Sequence, residues 1–160
     1  MQTTINDIAI TLFGICYIPL FLMYMPLLMG SENGKLLVWF IIIAAWGTDI
    51  FAYIVGRTIG KHKFSKISPN KSIEGCIGGI IGAIVLTLIY TLVINTYLGM
   101  NINYLYIGGI SILLSIIGQI GDFSASSIKR YVGIKDFSNL LPGHGGMLDR
   151  IDSLIFIAPF

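Results

Sequence analysis

The chain has 160 residues, of which 55% are hydrophobic and only 11% are charged, and its mean hydropathy is +0.84. Soluble globular domains carry about 25% charged residues, so the composition excludes a soluble domain and indicates an integral membrane protein. The net charge of +2 is small, and in a bilayer the position of each charge matters more than the sum. We expect membrane lipids around the chain and no nucleic acid partner.

Four apolar segments are long enough to cross the roughly 30 Å of bilayer hydrocarbon as helices. A fifth apolar stretch, 153–160, is too short to cross. Either the chain is cut off inside a helix, or this stretch packs against the other segments without spanning. The sequence predicts an all-α integral membrane protein, a polytopic bundle of transmembrane helices forming a single domain over residues 1–160. In chain order, the four segments are 8–29, 36–56, 73–97 and 104–121.

The loops between these segments differ in charge. The connections at 31–35 and 98–103 are short and nearly neutral, whereas those at 57–72 and 122–152 carry nearly all of the lysines and arginines. Because successive helices alternate in direction, both basic loops lie on one side of the membrane. The positive-inside rule makes that side cytoplasmic, together with the N-terminus. The alternative is that the loop cations serve only as topology signals.

Asp49 lies inside the second segment, where a carboxylate is costly unless it faces a partner or water. Asp49, Tyr53 and Arg57 follow i, i+4, i+8 spacing and therefore share one helix face. Such a stripe is typical of the polar wall of a pocket, and the alternative is an Asp–Arg pair that holds helices together. After it, Lys71 beside the start of the third segment predicts an anion site, and Ser72 is the expected helix cap.

A dense block of charge follows residue 121, after a stretch from 75 to 121 that contains no Asp, Glu, Lys or Arg. Asp122 stands where the fourth segment leaves the membrane. A short helix is expected over 123–131, and on it Ser126, Lys129 and Arg130 share a face. Carboxylates and cations at the end of an apolar region predict phosphate and metal chemistry at a membrane surface.

The glycine-rich turn at 142–146 lets the backbone approach a ligand closely and offers N–H groups to a phosphate. Within it, His144 has either a catalytic role or a role in stabilising the turn. Asp149 and Asp152 follow and share a face of the final helix with Ser153. Carboxylate oxygens are hard ligands that suit Mg²⁺, so the sequence predicts a site for phosphate and magnesium.

These residues resemble the phosphatidate cytidylyltransferase family, also called CDP-diacylglycerol synthases. The family signature is a Ser followed by Lys-Arg, then Lys-Asp, a Pro-x-His-Gly-Gly turn and Asp-Arg-x-Asp. The resemblance covers about residues 46–152, although family members usually carry more N-terminal spans and a complete final helix. The matching residues are Ser126, Lys129-Arg130, Lys135-Asp136, Pro142-Gly143-His144-Gly145-Gly146 and Asp149-Arg150-Ile151-Asp152, with Asp49, Tyr53, Gly56-Arg57, Gly60-Lys61, Ser68-Pro69, Lys71-Ser72 and Glu74-Gly75 upstream.

The resemblance implies a reaction of CTP with phosphatidate that gives CDP-diacylglycerol and pyrophosphate in a polar active-site cavity facing the cytoplasm. It implies a Mg²⁺ cofactor held by Asp122 and Asp149, while a second metal ion and a homodimer stay open. The expected catalytic residues are Asp122, Lys129, Arg130, Asp149 and Asp152. The expected substrate-binding residues are Asp49, Tyr53, Arg57, Lys61, Ser68, Lys71, Glu74, Ser126, Lys135, Asp136, His144, Gly145, Gly146 and Arg150.

Other functions stay open at the level of sequence. A membrane lipid kinase that uses CTP as phosphoryl donor would share the polar mouth, and an inactive fragment of the family would share every motif. An ion-coupled transporter would use Asp49 as its coupling site, but that function leaves the charged block after residue 121 without a role.

Overall fold

The computed structural model describes residues 4–63, 71–138 and 146–160, apart from the side chains of Asn6 and Asp7. Within these residues, the regular structure consists of α-helices and one isolated β-bridge, between Lys63 and Ser72. Four of the helices are long and apolar enough to cross a membrane, which confirms the predicted polytopic bundle and makes the chain a multi-pass membrane protein. The helices are α1 (Ile5–Met29), α2 (Gly34–Ile59), α3 (Ile73–Leu98), α4 (Tyr104–Tyr131) and α5 (Leu148–Ile157).

α4 extends well beyond the apolar segment that predicted it. It continues to Tyr131 without interruption, so the prediction of a separate short helix over 123–131 is wrong. The 28 residues of α4 reach about 42 Å at 1.5 Å per residue, compared with roughly 30 Å of hydrocarbon. The charged end of α4 therefore extends past the apolar layer as part of one rigid helix.

α2 and α3 pack closely because small residues line their contact. At Gly79, an added Cβ atom would lie 2.9 Å from the carbonyl oxygen of Thr48 and 3.1 Å from the Cβ atom of Ala52. At Gly75, it would lie 2.7 Å from the carbonyl oxygen of Ala52. A backbone carbonyl cannot turn aside as a long side chain can, so these glycines set the distance between the two helices.

Buried hydroxyl groups connect α4 to its two neighbours. The hydroxyls of Thr48 and Ser115 are 2.8 Å apart and link α2 to α4. Those of Thr87 and Ser111 are 2.7 Å apart and link α3 to α4. Each of these four side chains is almost completely buried, where an unpaired hydroxyl would be costly. The pairs therefore hold the three longest helices in one relative position.

α5 packs back along α4 and contacts α1. An added Cβ atom at Gly121 would lie 2.5 Å from Phe156 Cβ, and one at Gly118 would lie 2.8 Å from Ile157 Cδ1. The ring of Phe156 also contacts Tyr17 of α1, with 5.7 Å between the ring centroids. Residues of the last apolar stretch therefore pack against α4 and α1.

Candidate active site

An ion pair marks the end of the bundle where α3 begins. Lys71, two residues before the first residue of α3, pairs with Asp122 of α4. Ser72 caps α3, as predicted, because its hydroxyl accepts a hydrogen bond from the backbone N–H of Gly75 at 3.1 Å. The cap fixes the start of α3 and so holds Lys71 near α4. The described parts of the two basic loops around Lys71 and Asp122 therefore lie at the same end of the bundle.

A second ion pair joins α4 to α5. Lys129 Nζ donates a hydrogen bond to Asp149 Oδ1 at 2.7 Å, and the two side chains are only 12% and 8% exposed. Asp149 Oδ2 accepts hydrogen bonds from the backbone N–H groups of Phe137 at 3.0 Å and Gly146 at 2.9 Å. Burial raises the pKa of the Asp149 carboxyl, but these hydrogen bonds outweigh burial, so its pKa lies below its ordinary value. Asp149 is therefore ionised at neutral pH and fixes the position of Lys129.

Two further carboxylates extend the site into the bundle. Asp49 Oδ2 accepts a hydrogen bond from Ser153 Oγ at 3.2 Å, which links α2 to α5. Burial and the negative charge of Asp122 raise the pKa of Asp152 to about 7. Asp49 lies within electrostatic range of both Asp122 and Lys71. Three carboxylates therefore interact here, and their mutual repulsion favours the binding of positive charge.

The predicted stripe on α2 divides into two parts. Arg57 Nη1 donates a hydrogen bond to Tyr53 Oη at 2.7 Å on the exposed side of α2, whereas Asp49 bonds to Ser153 of α5. Glu74 of α3 lies apart from the ion pairs of the site and accepts from His62 Nδ1 at 2.7 Å. Of these predicted residues, Asp49 is linked to α5, whereas Tyr53 and Arg57 pair with each other and Glu74 pairs with His62.

The remaining predicted residues are distributed around the two ion pairs. Their side chains on the loops and helix ends are mostly exposed. The exposed residues are Lys61, Arg130, Lys135, Asp136 and Arg150. Ser126 is half-buried. Gly146 is buried, and its backbone N–H group donates a hydrogen bond to Asp149. Ser68, His144 and Gly145 lie outside the described residues.

Phe137 adjoins the ion pair of Lys129 and Asp149, although no sequence pattern selects it. Its ring centroid lies 5.2 Å from Lys129 Nζ, close enough for a cation–π interaction, and its backbone N–H donates to Asp149. A single aromatic residue in an irregular segment produces no periodic signal. Only its position directly after the Lys135-Asp136 pair could have drawn attention to it.

A large cavity lies beside the ion pairs, between α1, α4 and α5. Its volume is about 850 Å³, and apolar side chains form most of its wall, with Asp152 at one side. The resemblance implied a polar cavity, and this cavity differs because α1 and α5 contribute mainly aliphatic and aromatic groups. The turn expected to supply further polar groups, 142–146, is described only at Gly146.

The two predicted metal ligands, Asp122 and Asp149, have different surroundings. Among the residues that the structure describes, no group of three or more His, Cys, Asp or Glu side chains could hold a metal ion. Mg²⁺ usually needs only one or two protein carboxylates, because waters and substrate phosphates complete its shell. Each carboxylate oxygen accepts about two bonds, and Asp149 Oδ2 already accepts two, while Oδ1 accepts one from Lys129. The contacts that the structure describes therefore leave acceptor capacity on Asp149 Oδ1 and on the Asp122 oxygen that does not bind Lys71.

The whole chain is similar to a known protein family. The sequence model of the cytidylyltransferase family matches residues 1–160. The chain belongs to the cytidylyltransferase family. The charged site of this family member therefore lies at the end of a bundle of membrane helices, beside an apolar cavity.

Two relatives show how much of the family architecture the chain covers. The phosphatidate cytidylyltransferase of Staphylococcus haemolyticus is 42% identical over 154 residues, which are 96% of this chain and 57% of the relative. That of Bacillus subtilis is 38% identical over 131 residues, which are 81% of this chain and 47% of the relative. This cytidylyltransferase family member thus spans about half the length of the curated relatives it matches.

Proposed function

We propose that this chain carries the site that transfers a cytidylyl group from CTP to phosphatidate, giving CDP-diacylglycerol and pyrophosphate. The buried pair of Lys129 and Asp149 carries this proposal, because it fixes an ammonium group at the end of a bundle of apolar helices. A diacyl lipid keeps its tails in hydrocarbon at that position while its phosphate meets a soluble nucleotide. The family membership of the chain and the names of its relatives support the same reaction.

Both substrates are anionic, so the site must neutralise charge and hold geometry rather than supply a covalent nucleophile. A phosphate oxygen of phosphatidate forms the new bond to the α-phosphorus of CTP. The bond from that phosphorus to the bridging oxygen breaks, and pyrophosphate leaves with the electron pair. Lys129 and Lys71 bind phosphate oxygens, and the exposed guanidinium groups of Arg130 and Arg150 extend the same positive surface.

Asp149 acts on this reaction through Lys129. Because Lys129 is 12% exposed and bonded to a carboxylate that two backbone N–H groups hold in place, its ammonium group keeps one position before substrate arrives. Such preorganisation lowers the cost of binding developing negative charge. Lys71 is held in the same manner by Asp122. Lys129 and Lys71 therefore each have a carboxylate partner on a neighbouring element.

The donor set also suits Mg²⁺. Asp122 and Asp149 would hold the ion, which when bound supplies Lewis-acid chemistry and neutralises phosphate charge. The pair leaves most of the coordination shell to water and substrate, as Mg²⁺ prefers.

We also propose that the end of the bundle with the ion pairs faces the cytoplasm. Loops 57–72 and 122–152 carry nearly all of the basic residues, and Lys71 and Asp122 bring them to the same end. The positive-inside rule then assigns that end to the cytoplasm, where CTP is available. Cysteines introduced at Lys61 and at Ser31 test the assignment: a membrane-impermeant thiol reagent added outside intact cells should label only the cysteine at position 31.

Turnover by the purified chain tests the reaction. The chain, reconstituted in nanodiscs with phosphatidate, receives CTP and Mg²⁺, and both pyrophosphate and CDP-lipid are measured. We expect the two products in equal amounts. Release of CDP together with a phosphorylated lipid would instead identify a lipid kinase, and no turnover by the folded chain would identify an inactive fragment.

Matched carboxylate variants make the assay specific. Asp149→Asn keeps the shape of the side chain but removes the charge that holds Lys129, so the rate should fall by about 100-fold or more, as for other losses of preorganised charge. Glu32→Gln is the control, because Glu32 is exposed in the turn between α1 and α2, at the opposite end of α2 from the site. Equal rates for Asp149→Asn and the unmodified chain would contradict the assigned role of Asp149.

A further inference from the structure

The cavity between α1, α4 and α5 has the properties of a hydrocarbon site. Its volume of about 850 Å³ lies within the range of roughly 300–1,000 Å³ typical of small-molecule sites. Its wall is formed mainly by aliphatic and aromatic groups, which include Phe13, Tyr17, Ile18, Ile128 and Ile155. The polar groups of a nucleotide would lose their hydrogen bonds against such a wall, so CTP is a poor occupant.

The cavity adjoins the ion pairs through two residues. Phe137 lines the cavity, while its ring lies 5.2 Å from Lys129 Nζ and its N–H donates to Asp149. Asp152 also lines the cavity and interacts electrostatically with Lys129 and Asp122. An amphiphile can therefore place an anionic group at Lys129 and an apolar chain in the cavity without leaving either part unmatched.

α1 leaves the cavity accessible from the hydrocarbon of the membrane. No residue in the most apolar part of α1 is buried, and the side chains of Ile10 and Phe13 are 65% and 63% exposed. Both also line the cavity. A lipid chain can thus enter between α1 and α4 from the bilayer, which suits a lipid better than a water-soluble ligand.

We propose that this cavity, which we name the α1–α5 groove, holds one acyl chain of the anionic glycerophospholipid whose phosphate binds at Lys129. The assignment rests on the proposed function for the identity of the headgroup. The groove then selects the depth at which the lipid sits, because the acyl chain and the phosphate are bound on opposite sides of Phe137.

Gly14 offers a way to fill the groove without a clash in the protein. It lines the cavity, and an added Cβ atom there would meet nothing within 4 Å. Gly14→Phe therefore places an aromatic ring in the space assigned to the acyl chain. Gly109→Phe is the matched control, because a Cβ atom at Gly109 also meets nothing within 4 Å and Gly109 does not line the cavity.

Photo-crosslinking tests the proposal. The probe is phosphatidate with a diazirine at the end of one acyl chain, present in small amount in phosphatidylcholine nanodiscs that contain the chain and no CTP. Crosslinked peptides from α1 and α5 should predominate in mass spectra. Their yield should fall about tenfold in Gly14→Phe, the loss expected when a few methylene groups lose their apolar contacts, and should not change in Gly109→Phe.

Three results would overturn the proposal. They are crosslinks spread evenly over the outward faces of α1 to α4, a yield that Gly14→Phe leaves unchanged, and an equal yield from phosphatidylcholine that carries the same diazirine chain. Circular dichroism establishes that the variants are folded, and Ile18→Trp replaces Gly14→Phe if the latter is not. Because no CTP is present, crosslinking without pyrophosphate release in the turnover assay would retain the groove and reject the proposed reaction. Turnover without selective crosslinking would instead retain the proposed reaction and reject the groove as the site of the acyl chain.

Discussion

The contact between α2 and α3 depends on Gly79, and replacing this glycine by alanine tests whether backbone contact sets the helix spacing. The new Cβ atom would lie 2.9 Å from the carbonyl oxygen of Thr48 and 3.1 Å from Ala52 Cβ, both shorter than an ordinary van der Waals contact. The two helices must separate by several tenths of an ångström to accommodate it. The hydroxyl of Thr48 is also 2.8 Å from that of Ser115, so movement of α2 stretches a buried hydrogen bond to α4.

The expected magnitude combines two opposing effects. Overpacking of a tight interface costs about 1–3 kcal/mol, while replacing glycine by alanine inside a helix favours folding by up to about 1 kcal/mol. Gly109→Ala in α4 gains the second effect without the first, because a Cβ atom there meets nothing within 4 Å. The difference between the two variants therefore isolates the overpacking, and we expect Gly79→Ala to be less stable than Gly109→Ala by about 1–3 kcal/mol.

Unfolding by sodium dodecyl sulfate in mixed micelles, followed by circular dichroism, measures this difference. Both variants keep the same helix content and differ from the unmodified chain by one methyl group, so their unfolding reactions are directly comparable. Equal free energies of unfolding for Gly79→Ala and Gly109→Ala would refute the assignment of a fixed spacing to the glycines of α3. A further test is the thiol reactivity of a cysteine placed at Ala83, which is fully buried and should become more reactive only in Gly79→Ala.

Three other predictions concern buried polar groups. Thr48→Val keeps the shape of the side chain but leaves the Ser115 hydroxyl without this partner, so the same unfolding assay should show a loss of about 0.5–2 kcal/mol, and a loss of zero would mean that the hydroxyl pair adds nothing. Lys129→Met leaves the buried Asp149 carboxylate without its cation and should cost about 3 kcal/mol; adding Asp149→Asn should recover much of this loss, and strictly additive losses would exclude coupling between the two groups. The pKa of Asp152 is raised to about 7 by burial and by a neighbouring carboxylate, compared with about 3.9 when unfolded. Its contribution to stability is therefore complete below about pH 4 and is lost as the pH rises through about 7, so metal-free protein should lose stability across this interval, and Asp152→Asn should reduce that dependence.

Much of the fold could be predicted because hydrophobic length is a local property of the sequence. The four apolar segments correspond to α1 through α4, and Ser72 caps α3 as its side-chain chemistry suggests. The predicted end of α4, at residue 121, was wrong for a physical reason. Charge marks where hydrocarbon ends, but a helix ends only where its backbone hydrogen bonds stop, and those of α4 continue to Tyr131.

The candidate site could be predicted by residue type but not by partner. Lys129 and Asp149 were expected to act together at a phosphate site, yet nothing in the spacing of 20 positions between them indicated a hydrogen bond. Asp49 was expected to face Arg57 or a pocket, and its hydroxyl partner, Ser153, comes from a helix 104 positions away. Pairings of this kind depend on how α5 packs against the bundle, which periodicity within one helix does not specify.

The packing of Phe156 and Ile157 against Gly121 and Gly118 determines the vertical register between α4 and α5. At 1.5 Å per residue, Lys129 lies about 12 Å further along α4 than Gly121, so this contact is remote from the pair of Lys129 and Asp149. A slip of one residue in α5 would move Asp149 by about 1.5 Å along the helix axis and turn it by about 100°, which would break its bond to Lys129. The contacts at Gly118 and Gly121 thus decide whether Lys129 and Asp149 are aligned, so a substitution at either glycine can break this ion pair from a distance.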